Sequence, residues 1–405
     1  MNWRRAAGEL EEIMDCPNCS APHADAARFC ARCGTPLHVG IDRSRHFAAH
    51  PEEPVRALAL MSTLMPHLSG GRHHVYRGVV GLALMGALVA AAFGVLAVAL
   101  VLAAIALPAV VLIYVHDHDL WRDEPITVIG AAFALPLLLG VGVGLLQDHF
   151  YLPVLLNAWR QRLPTPIQIL ELGVVVPVVA FVAVLIAPTL ITARRAFRHP
   201  VDAVVICALS GAALSLGLSV VVQRGAFAQL VPSAGNPMRA AFGSLTIDPA
   251  QAAFTALTLG FLQPIIFATA AALAVVPLRG PGVNPAPGVA KGVLLLVLYE
   301  LATTLLAPDA ARGIVLTALV ALVLAAAGLL GTREALHKSL MAEAQAALAG
   351  DVALDRAPDT HQICAHCGAA IGADAAFCQV CGTATAALAR HPYPPITATN
   401  PAPSA

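Results

Sequence analysis

Two apolar runs separated by a basic hinge decide the fold of this chain: residues 172–193 (LGVVVPVVAFVAVLIAPTLITA) and residues 203–223 (AVVICALSGAALSLGLSVVVQ). Neither run contains an acidic or basic side chain. A helix of about 20 apolar residues is long enough to cross the ~30 Å hydrocarbon core of a bilayer. The hinge, residues 194–202 (RRAFRHPVD), is typical of a short turn on the cytoplasmic face. The stretch therefore predicts two membrane spans joined on the inner side.

The composition of the whole chain extends this prediction. Of its 405 residues, 58% are hydrophobic and only 12% are charged, whereas about 25% of the residues of an average soluble domain are charged. The formal net charge is zero, which gives no electrostatic reason to expect nucleic-acid binding. The first residues lack the apolar core of a secretory signal peptide. The chain is expected to be a multi-pass protein of the cell membrane with soluble ends.

Eight spans are expected, forming an all-α polytopic membrane bundle. The charge-free stretch 78–115 is too long for one span, so it is divided into two helices with a tight turn near residues 93–98. Pro264 is expected to kink or break the sixth span. The expected spans cover residues 78–96, 98–115, 126–147, 172–193, 203–223, 250–278, 292–308 and 313–332.

Four C-x-x-C pairs predict a small zinc ribbon at each end of the chain. Both copies finish with the string Phe-Cys-x-x-Cys-Gly-Thr. Two pairs supply the four thiolates of a tetrahedral zinc site, and segments this short depend on the metal for their folding energy. A redox C-x-x-C would not come doubled in this way. The expected cofactor is Zn²⁺ at two structural sites, with these ligands: Cys16, Cys19, Cys30 and Cys33, then Cys364, Cys367, Cys378 and Cys381.

The domain order follows from these elements. We expect an N-terminal ribbon at 1–40, a linker at 41–77, the bundle at 78–332, a helical extension and linker at 333–361, a second ribbon at 362–384 and a disordered tail at 385–405. Basic residues beside the spans are more frequent on the side of the two termini, which predicts that both termini are cytoplasmic. Thiolate–zinc sites persist in that reducing compartment.

Several short strings carry a family resemblance. They include PVV in 177–179, FRHPVD in 197–202 and AAFTA in 252–256, together with the EP pair at 124–125 ahead of a span. With this order of strings, residues 78–330 resemble the PrsW-type intramembrane metalloproteases, and the cysteine segments look like the treble-clef-type zinc ribbons of bacterial membrane proteins. The resemblance implies hydrolysis of peptide bonds in or beside the membrane by a metal that Glu and His side chains hold.

The positions that the resemblance assigns to this chemistry carry other residues. Family glutamates and histidines fall on Ala180, Phe181, Leu218, Gln251 and Leu296. Independently of the family, every histidine lies outside the expected spans, and Glu300 is the only acidic residue deep within one. A catalytic zinc needs about three protein ligands. We therefore expect no catalytic residues, and whether the chain is an enzyme is left to experiment.

Three hypotheses for function follow. The first is an inactive PrsW-like protein, a membrane scaffold or regulator that binds the bilayer and protein partners while its ribbons recruit cytoplasmic proteins or pair with each other. The alternative is an active protease with relocated ligands drawn from Glu300, His116, His118 and His199. The third is a transporter or channel, ranked last because few polar residues line the spans. For Glu300, one interpretation is a site for a proton or a ligand, and the other is a paired side chain that faces the bundle. For the loop 116–119 (HDHD), the alternatives are a metal site and a solvated loop.

Overall fold

The computed structural model describes residues 13–24, 27–37, 58, 60–65, 73–117, 125–159, 165–194, 197, 199–228, 248–306, 310–349, 362–364, 369–372 and 375–382. These residues divide into two compact units. One unit, within Val55–Met65 and Gly71–Leu336, holds the long helices. The other holds both cysteine-rich segments and the helical residues from His337 onward.

Helices make up nearly all of the first unit. Two of them are short, α1 (Leu60–Leu64) and α7 (Arg224–Ala228). Eight helices in the described part of the chain are long and apolar enough to cross a membrane, judged by length and composition. They are α2 (His73–Ala92), α3 (Leu96–Asp117), α4 (Pro125–Trp159), α5 (Pro166–Thr192), α6 (Pro200–Val222), α8 (Pro249–Arg279), α9 (Ala286–Leu306) and α10 (Ala310–Ala349). The expected all-helical bundle with eight candidate spans is confirmed.

A glycine turn separates the first two long helices. α2 ends at Ala92 and α3 begins at Leu96. Gly94 has φ +71°, a conformation that costs glycine nothing because it has no Cβ. The Val95 N–H donates to the Ala90 carbonyl oxygen at 3.0 Å, which satisfies a carbonyl at the end of α2. The charge-free stretch therefore reverses direction within three residues.

Helix α4 is longer than its apolar run. It continues through the polar residues after Gln147 to Trp159, beyond the end of the expected span at residue 147. In this part of the helix, the Asp148 carboxylate forms an ion pair with Arg224, with a separation of 2.8 Å. Both side chains remain partly exposed, so the helix continues without burying an isolated charge.

Two π-helical segments each precede a proline. Residues Ala256–Leu262 are π-helical just before Pro264, and Glu171–Val175 are π-helical just before Pro177. Proline has no N–H, and its ring clashes with a carbonyl of the preceding turn. A wider turn relieves that clash. Helix α8 is therefore not broken at Pro264; the strain is absorbed one turn earlier.

Helices α6 and α8 are the most buried spans, and glycines set how closely α6 packs against α4. A Cβ atom on Gly217 would collide with the carbonyl oxygen of Leu137, and one on Gly140 with that of Leu214. Small residues permit this close approach between helices in a bilayer. The Ser210 hydroxyl also donates across the interface, to the Ala132 carbonyl oxygen at 3.0 Å.

Candidate metal centres and bundle cavity

The first cysteine segment forms a two-stranded hairpin with a knuckle after it. Strand β1 (Ile13–Asp15) pairs antiparallel with β2 (Pro22–Ala24). In the second knuckle, the Gly34 N–H donates to the Cys30 carbonyl oxygen at 3.0 Å, and Gly34 has φ +73°. This left-handed conformation explains why a glycine follows the last cysteine of the motif. The backbone therefore turns both cysteine pairs toward one point.

The sulfur positions fit zinc. Cys16 Sγ lies 3.7 Å from Cys33 Sγ, and Cys19 Sγ lies 3.6 Å from Cys30 Sγ. A tetrahedral zinc with Zn–S bonds of about 2.3 Å requires sulfur–sulfur separations of about 3.8 Å. The four sulfurs all lie within 4.8 Å of one another. The donor set is therefore complete and of the right size for one structural zinc ion.

Hydrogen bonds prepare one of these thiols to ionise. Burial raises the pKa of the Cys33 thiol, but hydrogen bonds from the Thr35 hydroxyl and backbone outweigh it and lower the pKa to about 6. The Thr35 Oγ1 to Cys33 Sγ distance is 3.2 Å. Burial raises the pKa of Cys19 to about 12. The thiolate is the form that binds metal. Zinc binding must therefore release the protons of those thiols that are still protonated at neutral pH, such as Cys19.

The second cysteine segment repeats this local geometry. Strand β3 (Gln362–Ile363) pairs antiparallel with β4 (Ala370–Ile371). The sulfurs of Cys364, Cys378 and Cys381 also lie within 4.8 Å of one another. Gly382 has φ +73°, and its N–H donates to the Cys378 carbonyl oxygen at 2.9 Å, as Gly34 does in the first segment. The expected fourth ligand, Cys367, lies outside the described residues.

The two ribbons bind each other through reciprocal backbone hydrogen bonds. The Phe29 N–H donates to the Gln379 carbonyl oxygen at 3.0 Å, and the Phe377 N–H donates to the Ala31 carbonyl oxygen at 2.9 Å. Phe29 and Phe377 are equivalent positions of the repeated motif, as are Ala31 and Gln379. The two segments thus pair antiparallel with an approximate two-fold relationship, the arrangement that symmetric dimers use between separate chains.

Side chains also pack across this contact. Ala31 of the first ribbon lies against the buried cluster of the second, which contains Cys364, Ile371 and Cys378. The Phe29 ring is buried and lies so close to Gly382 that a Cβ atom there would approach it to 2.7 Å. Pairing of the ribbons was one of two roles considered from the sequence. The repeated phenylalanine before the third cysteine is the sequence signal for it.

Comparison with known proteins supports the ribbon assignment. Residues 16–37 match the family profile of the zinc-ribbon domain. No match to the PrsW family is found for the membrane portion. No curated protein and no solved structure matches the chain.

A cavity of about 540 Å³ lies among the membrane helices. It gathers polar side chains that are scattered along the sequence and isolated within apolar runs: Gln147, Ser219, Thr258, Gln263, Tyr299 and Glu300. Sequence reasoning singled out Glu300 but missed the uncharged members, because a single Gln, Ser or Thr in an apolar span shows no periodicity. Six polar side chains from four different helices therefore meet at one cavity.

Glu300 is held within this cavity by neighbouring side chains. Only 4% of its surface is exposed. Its Oε2 atom accepts hydrogen bonds from Gln147 Nε2 at 3.5 Å and from Thr303 Oγ1 at 3.3 Å. Nearby, the Tyr299 hydroxyl donates to Gln263 Oε1 at 3.5 Å. The carboxylate therefore faces the bundle interior rather than lipid, as expected for an ionisable group in a span.

The family-derived positions do not all meet at this cavity. Leu218 lines it, whereas Ala180, Phe181 and Leu296 are buried without being among its lining residues, and Gln251 is exposed.

The relocated ligands proposed for an active protease are not brought together either. His199 caps α6 by accepting from the Val201 N–H at 3.3 Å. The side chains of His116 and His118 lie outside the described residues. Among the residues that the structure describes, the groups of His, Cys, Asp and Glu that could hold a metal are the two cysteine clusters.

Proposed function

We propose that this chain is a membrane scaffold or regulatory protein, related to the PrsW-type proteases but without hydrolytic activity, whose paired zinc ribbons recruit cytoplasmic protein partners. The observation that carries the proposal is the reciprocal hydrogen bonding of Phe29 with Gln379 and of Phe377 with Ala31. It joins two modules at opposite ends of the sequence into one metal-dependent unit. Such a unit provides a composite surface that neither ribbon has alone.

The pairing also supports the proposed placement in the membrane. Two ribbons in contact must lie on the same side of the bilayer, which requires an even number of spans between them. Eight candidate spans meet that requirement. The reducing cytoplasm is the side on which thiolate–zinc sites persist, so we place both termini there and assign the protein to the cell membrane.

The absence of hydrolysis is proposed from the residues at the family positions. Ala180, Phe181, Leu218 and Leu296 offer no electron pair to a metal. Gln251 offers only a neutral amide, and it is exposed. Glu300 is a single carboxylate, and a catalytic zinc needs about three protein ligands.

Metal content and proteolysis test the non-hydrolytic proposal together. Purified protein should contain two zinc ions per chain, one for each cysteine cluster, and should leave membrane-protein substrates uncut. The alternative, an active protease with relocated ligands including Glu300, requires a third metal that persists when all eight ribbon cysteines are changed to serine. Metal-dependent cleavage that Glu300→Ala abolishes would overturn the proposal in favour of that alternative.

Recruitment is tested by proximity labelling from a tag at the C-terminus. Ala31→Glu places a charge against the second ribbon's buried cluster, and Arg32→Glu changes an exposed neighbour as a control. Cytoplasmic proteins labelled by the unmodified chain should be lost in Ala31→Glu and retained in Arg32→Glu. An identical labelled set in all three proteins would contradict recruitment by the paired ribbons.

A further inference from the structure

Three polar atoms on the cavity wall have no hydrogen-bond partner in the described part of the chain. They are Gln147 Oε1, Ser219 Oγ and Thr258 Oγ1. Ser219 is 5% exposed and Thr258 is 4% exposed, so lipid and bulk water do not solvate them freely. Buried polar groups in folded proteins are normally paired. These unpaired atoms belong to residues that line one cavity, where a change of side-chain rotamer would let a bound group pair with them.

The Gln147 amide oxygen requires a donor, and the hydroxyls of Ser219 and Thr258, which can donate or accept, are compatible with one. The Gln147 amide nitrogen donates to the Glu300 carboxylate. Its amide oxygen, which can only accept a hydrogen bond, is left without a donor. The hydroxyl oxygens of Ser219 and Thr258 also accept. Both hydrogen bonds to the Glu300 carboxylate fall on Oε2, which leaves Oε1 for a ligand. A group with several N–H donors would satisfy this wall.

The charge of the cavity is also one-sided. Arg224 is the single basic side chain among its lining residues, and it is paired with Asp148 at 2.8 Å. That ion pair is partly exposed, with side-chain exposures of 64% and 38%, and it is neutral as a unit. Glu300 is therefore the one carboxyl group on the lining that lacks a basic partner, and a cation is the ligand that complements its ionised form.

The lining also has apolar side chains beside its polar ones. They are Leu172, Leu218, Val222, Leu259, Leu306 and Ile314. A volume of about 540 Å³ falls within the range of small-molecule sites and is much larger than an inorganic ion needs. The cavity therefore matches a molecule with an alkyl body and a compact polar head.

We infer that the cavity is a binding site for an amphiphilic primary amine, whose ammonium group pairs with Glu300 and donates its remaining N–H groups to acceptors among Gln147, Ser219 and Thr258, and whose alkyl chain lies against the apolar side chains of the lining. A primary ammonium has three N–H donors, and its hydrogen bonds to a carboxylate are of the strong, charge-assisted type. The inference is independent of the ribbons and of recruitment by them.

The position of the cavity suggests the side from which the ligand enters. The lining includes the ends of α6 and α9 at Val222 and Leu306 and the start of α10 at Gly313. Helix α10 begins at the end of the bundle that contains the cavity. The C-terminal end of α10 therefore lies at the opposite face of the bundle. With the C-terminus in the cytoplasm, the cavity faces the outer side, and the partly exposed Asp148–Arg224 pair is among its lining residues.

A head-group series on the unmodified full chain tests the inference without any variant. The protein is reconstituted in nanodiscs, and binding of decylammonium, decyltrimethylammonium, decanol and decanoate is measured by calorimetry against empty nanodiscs. Decylammonium should bind at least about tenfold more tightly than the trimethylated cation and the alcohol, because only it combines charge with N–H donors. Decanoate should show no binding above the empty discs.

Variants then locate the site. Glu300→Gln should lower decylammonium affinity at least about tenfold while leaving decanol binding unchanged. Ser219→Ala and Thr258→Val should each lower it by a smaller factor. Thr189→Val is the matched control, since the Thr189 hydroxyl donates to Leu185 and Ile186 of its own helix and Thr189 does not line the cavity. Monodisperse elution and full zinc content verify folding of each variant.

Several outcomes would overturn the inference. One is uptake of decylammonium no greater than by empty nanodiscs. Another is equal affinity for the primary and the trimethylated cation, which would make the N–H acceptors irrelevant. Unchanged decylammonium affinity in a folded Glu300→Gln protein would place the amine elsewhere. Binding of a proton or a monovalent cation at Glu300 without binding of the amine would also contradict it.

Discussion

The backbone N–H of Phe29 donates to the carbonyl oxygen of Gln379 at 3.0 Å, and this bond joins a residue near the start of the chain to one near its end. Its counterpart runs from Phe377 to Ala31. Each ribbon therefore supplies a donor and an acceptor from equivalent positions of the same repeated motif, and the Arg28 N–H adds a second donor to the Gln379 carbonyl oxygen at 3.0 Å. The zinc ions shape each ribbon separately, and these hydrogen bonds make them one module.

Hydrogen exchange should detect the pairing. In the unmodified protein, the amides of Phe29 and Phe377 should be protected, because each is hydrogen bonded across the contact. Ala31→Glu should accelerate exchange of the Phe377 amide, since it places a charge beside the buried cluster of the second ribbon. Arg32→Glu, at an exposed neighbouring position, should leave it unchanged. Equal exchange in the two variants would argue against the pairing.

Loss of one zinc ligand should unfold only one ribbon. Cys19→Ser removes one of four sulfurs, and a ribbon this short depends on its metal for folding. Metal analysis should fall from two zinc ions per chain to one, while the membrane helices stay resistant to protease. Cys207→Ala is the control: Cys207 is buried in α6, outside both clusters, and should leave two zinc ions. Digestion of the spans in Cys19→Ser would contradict this modular behaviour.

Acid should release zinc from the ribbons, and Thr35 should set how readily the first one loses it. Hydrogen bonds from Thr35 lower the pKa of Cys33 to about 6 against the effect of burial. A lowered pKa gives stability that is present at neutral pH and lost as the pH falls through the folded-state value. Thr35→Ala removes a donor to the thiolate and raises that pKa, so protons should compete with zinc at a higher pH.

The expected shift is about one to two pH units, because one pKa unit corresponds to about 1.4 kcal/mol and a hydrogen bond to a charged group contributes about 1.5–3 kcal/mol. A chromogenic zinc chelator can follow release during an acid titration. The zinc of the second ribbon serves as the internal reference and should leave at its usual pH. A single release curve that is identical with and without the Thr35 hydroxyl would contradict the role given to this residue.

Close packing of α4 against α6 should make Gly217 intolerant of a side chain. A Cβ atom on Gly217 would collide with the backbone oxygen of Leu137, which cannot move without shifting the whole helix. Gly217→Val should therefore destabilise the bundle by at least about 1–3 kcal/mol, the usual cost of overpacking. Gly142→Val, on α4 where no atom lies within 4 Å of the added Cβ, should be tolerated. Thermal unfolding in detergent, followed by size-exclusion chromatography, compares the two.

Much of the candidate site lay beyond sequence reasoning. Glu300 was identified because one carboxylate in an apolar span is conspicuous, but its neighbours Gln147 and Thr258 were not, since each is separated from it by more than 40 residues of chain. The family-derived positions do not come together at one pocket. Instead Leu218 lines the cavity and Gln251 is exposed.

Local chemistry was enough to identify the spans and the zinc ligands. A run of about 20 uncharged apolar residues has few stable alternatives to a helix across a bilayer, and the C-x-x-C spacing makes two sulfurs point to one metal. Local chemistry was not enough to predict three other features. They are the pairing of Phe29 with Gln379, the wide turn before Pro264 and the cavity around Glu300. They depend on which distant segments meet and how closely their helices approach, and no pattern within one segment carries that information.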